Sequence, residues 1–130
     1  MSGQTQILLI EGDPTLLEIT AFRLELLGYA VETLDSAERA LEWLSDKLPS
    51  LIIVDHVLPG IDGIEFINRL SNDTHTSDVP IMFLSTNGDL EDVQKAYNAG
   101  ADEYLVIPYD PMVLESKVER LTSAVVETAE

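Results

Sequence analysis

The sequence predicts an α/β domain, a doubly wound parallel sheet of five strands with helices on both faces. Three observations predict it. Short aliphatic runs recur five times along the chain. Three of these runs, ILLI, LIIV and IMFL, are continuously apolar, as strands buried on both sheet faces must be. Each run is followed by a longer stretch with helical periodicity, and strand–helix alternation of this kind yields parallel pairing through right-handed crossovers.

The first run covers residues 7–10. Asp13-Pro14 then supplies an N-cap and a first-turn proline for a helix marked by Leu16, Leu17, Phe22, Leu24 and Leu27. Gly28 stops that helix in the left-handed conformation. Residues 30–34 form the second strand. Ser36 caps a second helix, expected through Leu48, with Ala37, Ala40, Leu41 and Leu44 as its buried stripe. Residues 51–54 are the third strand. A third helix runs from about Gly63 to Leu70 with Ile64, Phe66 and Ile67 inward, and polar residues 71–78 read as a loop. After the strand at 81–84, Gly88 or Asp89 opens a fourth helix with Val93, Ala96 and Tyr97 inward and Gly100 as its stop. Residues 104–107 are the fifth strand. Asp110-Pro111 opens the last helix, carrying Met112, Leu114, Val118 and Leu121, before a polar tail after about Val126.

The 130 residues suit one domain, 1–130, with a core over about 6–121. Asp and Glu number 24 against 7 Lys and Arg, a formal net charge of −17 at pH 7. That balance argues against direct binding to nucleic acid or an anionic membrane, because phosphate contacts need clustered Lys and Arg. It is compatible with simple solubility or with a basic protein partner. Without cysteine there are no disulfides, thiolate nucleophiles or zinc–sulfur sites. No apolar run approaches the roughly 20 residues that span a bilayer, and the opening MSGQTQ lacks a basic signal-peptide region. A soluble, cytoplasmic protein is expected, with any effect on transcription or catalysis exerted through another protein.

In a doubly wound sheet, ligand chemistry gathers where the strands' carboxyl ends meet their loops. Those positions hold Glu11, Gly12 and Asp13, then Asp55, then Ser85, Thr86 and Asn87, then Ile107 and Pro108. Crowded carboxylates at Glu11, Asp13 and Asp55 would favour a hard cation such as Mg²⁺. Alternatively, Asp13 only caps the first helix and Glu11 faces solvent. Asp55 is harder to dismiss, since strand formation gives no reason for an acid directly after LIIV. His56 and His75 are read as loop or helix-packing residues, and Trp43 as packing the second helix. Neither a Gly-x-x-x-x-Gly-Lys phosphate loop nor a G-x-S-x-G elbow occurs, which counts against a nucleotide-binding enzyme and a small hydrolase.

The segments ILLIEGDPTLLE, LIIVDHVLPGIDG and AGADEYLVIPYDP, in that order and spacing, resemble two-component response-regulator receiver domains over roughly residues 6–121. The resemblance implies a (βα)5 flavodoxin-like fold with strand order 2-1-3-4-5 and a phosphorelay switch. It further implies Asp55 as phosphoacceptor, Ser85 as the hydroxyl that meets the phosphoryl group, and Tyr104 as the aromatic switch. Glu11, Asp55 and the backbone carbonyl of Val57 become the Mg²⁺ ligands, and the bond before Pro108 is expected cis. A histidine kinase or phosphotransfer protein would be the donor, with a downstream protein as the second partner.

Two positions depart from that pattern. Gly12 stands where the family has a second acid, and Ile107 stands where it has a lysine paired with the phosphoaspartate. Loss of a carboxylate weakens Mg²⁺ binding, so the metal is expected weak or absent, with Asp13 as the candidate replacement ligand. Loss of the lysine removes a charge-assisted hydrogen bond worth about 1.5–3 kcal/mol. An impaired receiver is therefore expected. The alternatives are a pseudo-receiver that binds partners without phosphorylation and, more distantly, a flavin carrier of the same fold, whose cofactor phosphate the acids after the first strand would repel. The family's usual partner face would carry Asp102, Glu103, Glu115 and Glu119 against Lys95, Lys117 and Arg120, which suits a basic partner better than self-association.

Overall fold

The structure is a computed structural model that describes residues 4–129, with side chains through residue 123. Five strands, β1 (Gln6–Ile10), β2 (Ala30–Leu34), β3 (Leu51–Asp55), β4 (Ile81–Ser85) and β5 (Glu103–Val106), alternate with five helices. The helices are α1 (Pro14–Leu26), α2 (Ala37–Trp43), α3 (Gly63–Ser71), α4 (Leu90–Ala99) and α5 (Pro111–Ala129). The sheet is parallel throughout in the order β2-β1-β3-β4-β5, the (βα)5 flavodoxin-like arrangement.

Alternation along the strands splits the core in two. Leu8, Ile10, Ile52, Val54, Ile81 and Phe83 point to one face and meet Ala37, Ala40, Phe66, Ile67 and Ala96 of α2, α3 and α4. Ile7, Leu9, Leu51, Ile53, Met82 and Leu84 point to the other and meet Ala21, Leu24, Leu114 and Val118 of α1 and α5. This two-sided burial is why β1, β3 and β4 read as unbroken apolar runs.

Helix ends follow local chemistry. Asp13 Oδ1 accepts from the amides of Thr15 and Leu16, Ser36 Oγ from Arg39, and Asp62 Oδ1 from Glu65. Gly28 and Gly100 adopt φ of 98° and 130° just past α1 and α4, where a side chain would be strained.

Several expectations need correction. α2 ends at Trp43, with Leu44 as its cap, short of Leu48. Phe22, Tyr97 and Met112 are 61, 42 and 76% exposed, outside the stripes assigned to them. α3 includes Ser71. α5 continues to Ala129, past the start of the expected polar tail, whose side chains lie outside the described residues.

Gly63 joins site and scaffold. Its amide donates to the His56 carbonyl at 2.9 Å, and a Cβ there would lie 2.9 Å from both His56 Cα and Phe83 Cε1, with the Asp55 carbonyl closer still. Gly63→Ala is therefore expected to destabilise the fold by about 1–3 kcal/mol through overpacking. A lowered urea midpoint at unchanged slope would show it; an unshifted midpoint would contradict it.

Candidate functional site

Strand register assembles the site. Ile10 pairs with Val54, so Glu11 and Asp55 leave β1 and β3 at the same level. Asp55 in turn pairs with Leu84, and Ser85 with Val106, which brings Ser85 and Ile107 to the same rim. Glu11, Asp13, Asp55, Thr86 and Ile107 all line one cleft of about 580 Å³ there, together with the apolar side chains of Leu16, Leu58 and Pro59.

Glu11 and Asp55 are 2 and 8% exposed. Glu11 therefore does not face solvent. Its Oε2 accepts the Asp13 amide at 2.9 Å, while no N–H donor reaches its buried Oε1. Burial, and a shared hydrogen bond and like charge with Asp55, push the Glu11 carboxyl up to about 8, only partly offset by the Asp13 amide. At neutral pH the crowded site thus favours retention of a proton at the Glu11 carboxyl. Asp55 Oδ1 accepts the Val57 amide at 3.0 Å.

These residues do not fit a Mg²⁺ site well. Mg²⁺ keeps several waters and is held by one or two carboxylates, and here only Glu11 and Asp55 stand at the rim to supply them. The third acidic position is Gly12, although a Cβ there would make only ordinary contacts, 3.4 Å to Pro59 Cδ and 3.6 Å to the Val57 oxygen. Asp13 lines the cleft but spends Oδ1 on capping α1. Among the described residues, no three His, Cys, Asp or Glu side chains are grouped to hold a metal ion.

Ser85 and Tyr104 meet at Asn87 and do not line the cleft. Ser85 Oγ accepts the Asn87 amide at 3.1 Å, and the Tyr104 hydroxyl donates to the Asn87 carbonyl. Tyr104 is turned inward, 8% exposed, with its ring 5.7 Å from Phe83. His56 packs on the same phenyl ring at 5.5 Å, the packing role expected of it. Thr86, and not Ser85, lines the cleft; the sequence placed it after the fourth strand without a role of its own. Glu38 was missed as well. It reaches from α2 to accept the Ile61 amide at 2.9 Å, which holds its carboxyl below the usual range and anchors the loop after β3. No local pattern in the sequence predicts that tie. The Ile107–Pro108 bond is cis.

The face made by α4, β5 and α5 is less acidic than its composition suggests. Glu103 is buried between Lys117, whose Nζ lies 2.8 Å away, and Arg120, so its charge is matched internally. Asp102 accepts the Ile81 amide at 2.8 Å.

Comparison with known proteins agrees with this geometry. The family model for the response regulator receiver domain matches residues 7–119. The phosphate regulon transcriptional regulatory protein PhoB of Escherichia coli is 32% identical over 114 residues, 88% of this chain and 50% of that one. The DNA-binding dual master transcriptional regulator RpaA of Synechocystis is 31% identical over 116 residues, 89 and 48% of the two chains. Among solved structures, a putative response regulator from Chloroflexus aurantiacus superimposes with a TM-score of 0.88 at 31% identity, covering 94% of this chain and 99% of that one. The receiver domain of sensor histidine kinase PA1611 from Pseudomonas aeruginosa, with magnesium coordinated in its active-site cleft, has a TM-score of 0.85 at 26% identity, with coverages of 94 and 99%.

The chain spans about half the length of the curated relatives it matches. Those relatives are transcriptional regulators, and one is named as DNA-binding. The expectation that the protein has no direct nucleic-acid partner, and acts on transcription only through another protein, is thereby overturned. Its physical basis, a net charge of −17, describes this stretch of chain and says nothing of what a relative carries beyond it. No described helix is long and apolar enough to cross a membrane. Receiver domains are in general non-enzymatic signalling domains that bind Mg²⁺ in this cleft. By sequence match, strand order and the acid pair at the sheet's rim, the chain belongs to the response-regulator receiver family of two-component systems.

Proposed function

We propose that the chain is a phosphorylation-dependent binding module in which Asp55 accepts a phosphoryl group with reduced electrostatic help. The observation that carries this reading is the position of Asp55. It is a buried carboxyl at the tip of the central strand, opening into a cleft beside a second acid. An Asp55 carboxylate oxygen attacks the donor's phosphorus; the new P–O bond forms as the bond to the donor's leaving group breaks and that group departs with the electron pair. Catalysis of such a transfer is mainly positioning and charge stabilisation. Here the Val57 amide orients the nucleophile, while Gly12 and Ile107 leave the phosphoryl oxygens without a second metal carboxylate or a lysine. Mg²⁺ binding at this cleft is correspondingly weak, because Gly12 offers no carboxylate.

The output route begins at Ser85. A phosphoryl group on Asp55 accepts a hydrogen bond from the Ser85 O–H, drawing toward the cleft the hydroxyl whose oxygen accepts the Asn87 amide. Because Tyr104 holds the other side of the same Asn87 peptide, a shift there reaches the exposed edge of β5. Treatment with acetyl phosphate and Mg²⁺ should add one phosphate-sized mass that disappears in Asp55→Asn. An unlabelled wild-type chain would favour phosphorylation-independent binding, the reading that the missing cationic groups support.

A further inference from the structure

The loop between β3 and α3, residues 56–62, forms one wall of the Asp55 cleft through Val57, Leu58 and Pro59. Its near end is held from inside: Val57 donates its amide to Asp55 Oδ1 at 3.0 Å, and Leu58 is buried in the core. At its far end the Gly63 amide returns to the His56 carbonyl at 2.9 Å. Between those ties lies Gly60, at φ of 74°, the residue type with the most backbone freedom to lose. There the loop is met from outside. Glu38, in the first turn of α2, accepts the Ile61 amide on Oε2 at 2.9 Å. Its carboxylate fills the space beside Gly60: a Cβ there would stand 3.0 Å from Glu38 Cδ and 3.1 Å from Oε1, with Oε2 closer still. The base of Glu38 is itself fixed, because Ala37 and Ala40 to either side are fully buried in the core.

We infer that Glu38 is a positioning residue for the Asp55 site: by fixing residues 60 and 61 it holds the cleft wall and keeps the Val57 amide on the Asp55 carboxylate. The bearing on phosphoryl transfer rests on the reading of Asp55 proposed above; the bearing on the loop does not. Three features separate this role from that of an ordinary surface acid. The bond is to a backbone amide 23 residues away, so it restrains main chain and not a second flexible side chain. Among the described residues, 58–61 make no other hydrogen bond outside the loop. Pro59, beside Gly60, also faces the opposite wall, since a Cβ at Gly12 would meet Pro59 Cδ at 3.4 Å. A shift of the loop therefore changes the cleft's width as well as the hydrogen bond on the nucleophile. Phosphoryl transfer depends on such alignment, and a misplacement on the order of 1 Å costs up to about a hundredfold in rate.

The test compares three variants with the wild-type chain. Glu38→Ala removes the acceptor, Glu38→Gln keeps it without the charge, and Glu42→Ala removes another exposed acid of the same helix. In Glu38→Ala, water–amide exchange followed by NMR should quicken roughly tenfold at Ile61 and about threefold at Val57, with the strand amides of Leu8 and Ile53 unchanged. Glu38→Gln and Glu42→Ala should stay within about twofold of wild type at both loop amides. Labelling of Asp55 by acetyl phosphate and Mg²⁺, read by intact mass, should slow about threefold to tenfold in Glu38→Ala alone. An unchanged Val57 amide in Glu38→Ala, or an equal loss in Glu38→Gln or Glu42→Ala, overturns the inference. If the wild-type chain takes no phosphate, the phosphoacceptor reading sinks and exchange at Val57 decides this one. Labelling at the same rate in all four chains does the reverse: the phosphoacceptor reading stands and the positioning role falls.

Discussion

Gly12→Asp combined with Ile107→Lys is expected to raise the rate of Asp55 labelling by acetyl phosphate and Mg²⁺ at least tenfold, and up to about a thousandfold. Each substitution supplies one missing interaction. A charge-assisted hydrogen bond is worth about 1.5–3 kcal/mol, and every 1.36 kcal/mol of barrier is a factor of ten. Neither change is obstructed at the position where it is made. The nearest atoms to a Cβ at Gly12 are Pro59 Cδ and the Val57 oxygen, both at ordinary contact distance, which sets an aspartate beside the carbonyl assigned to the metal. Ile107 already lines the cleft, so a lysine there needs only to turn its ammonium inward. Intact-mass time courses of the two single variants and the double variant would measure the gain. A folded double variant that labels no faster than wild type would mean that cationic support does not limit this pocket.

Glu11→Gln is expected to stabilise the protein at alkaline pH and to flatten its pH–stability profile. In the folded chain Glu11 keeps its proton up to about pH 8, against 4.5 for an ordinary glutamate. Between those values the folded state binds more protons than the unfolded state, so stability falls as pH rises through the window. The favourable contribution is complete below about pH 4.5 and lost above about pH 8. Glutamine keeps an oxygen for the Asp13 amide and a donor for Asp55, yet cannot ionise. Denaturation in the presence of EDTA at pH 5, 7 and 9 should show near-equality at pH 5 and an advantage for the variant at pH 9. That advantage is on the order of 5 kcal/mol. A variant less stable than wild type at pH 9 would show that Glu11 is ionised and satisfied in the native state, contrary to the burial of an oxygen that no N–H donor reaches.

The elements that were easiest to read are those whose environment is uniform. LIIV and IMFL are buried on both faces, so no alternation was needed to recognise them. Amphipathic faces were harder. α1 is apolar around most of its circumference, and periodicity alone could not tell that Leu24 is enclosed while Phe22 and Leu26 are 61 and 70% exposed; that depends on which side meets the sheet. Met112 had the right spacing on α5 but lies in its first turn, beyond the edge of the core. At the site, the identities of Asp55, Gly12 and Ile107 were available from their places after the strands, and so was the shortage of positive charge. The proton that Glu11 retains beside Asp55 was not, because it depends on burial.

Sequence alone determined the strand–helix order, the acid at the tip of the middle strand and the absence of lysine after the fifth, since each is local in the chain. Only the tertiary structure decided that Glu11 turns inward to meet Asp55, that Ser85 and Tyr104 grip opposite sides of one Asn87 peptide, and that apolar walls surround the acids. The reason is physical: charge, desolvation and hydrogen bonding act through space, between residues that pairing of parallel strands brings level although some forty positions or more separate β1 from β3 and the fifth strand lies farther still.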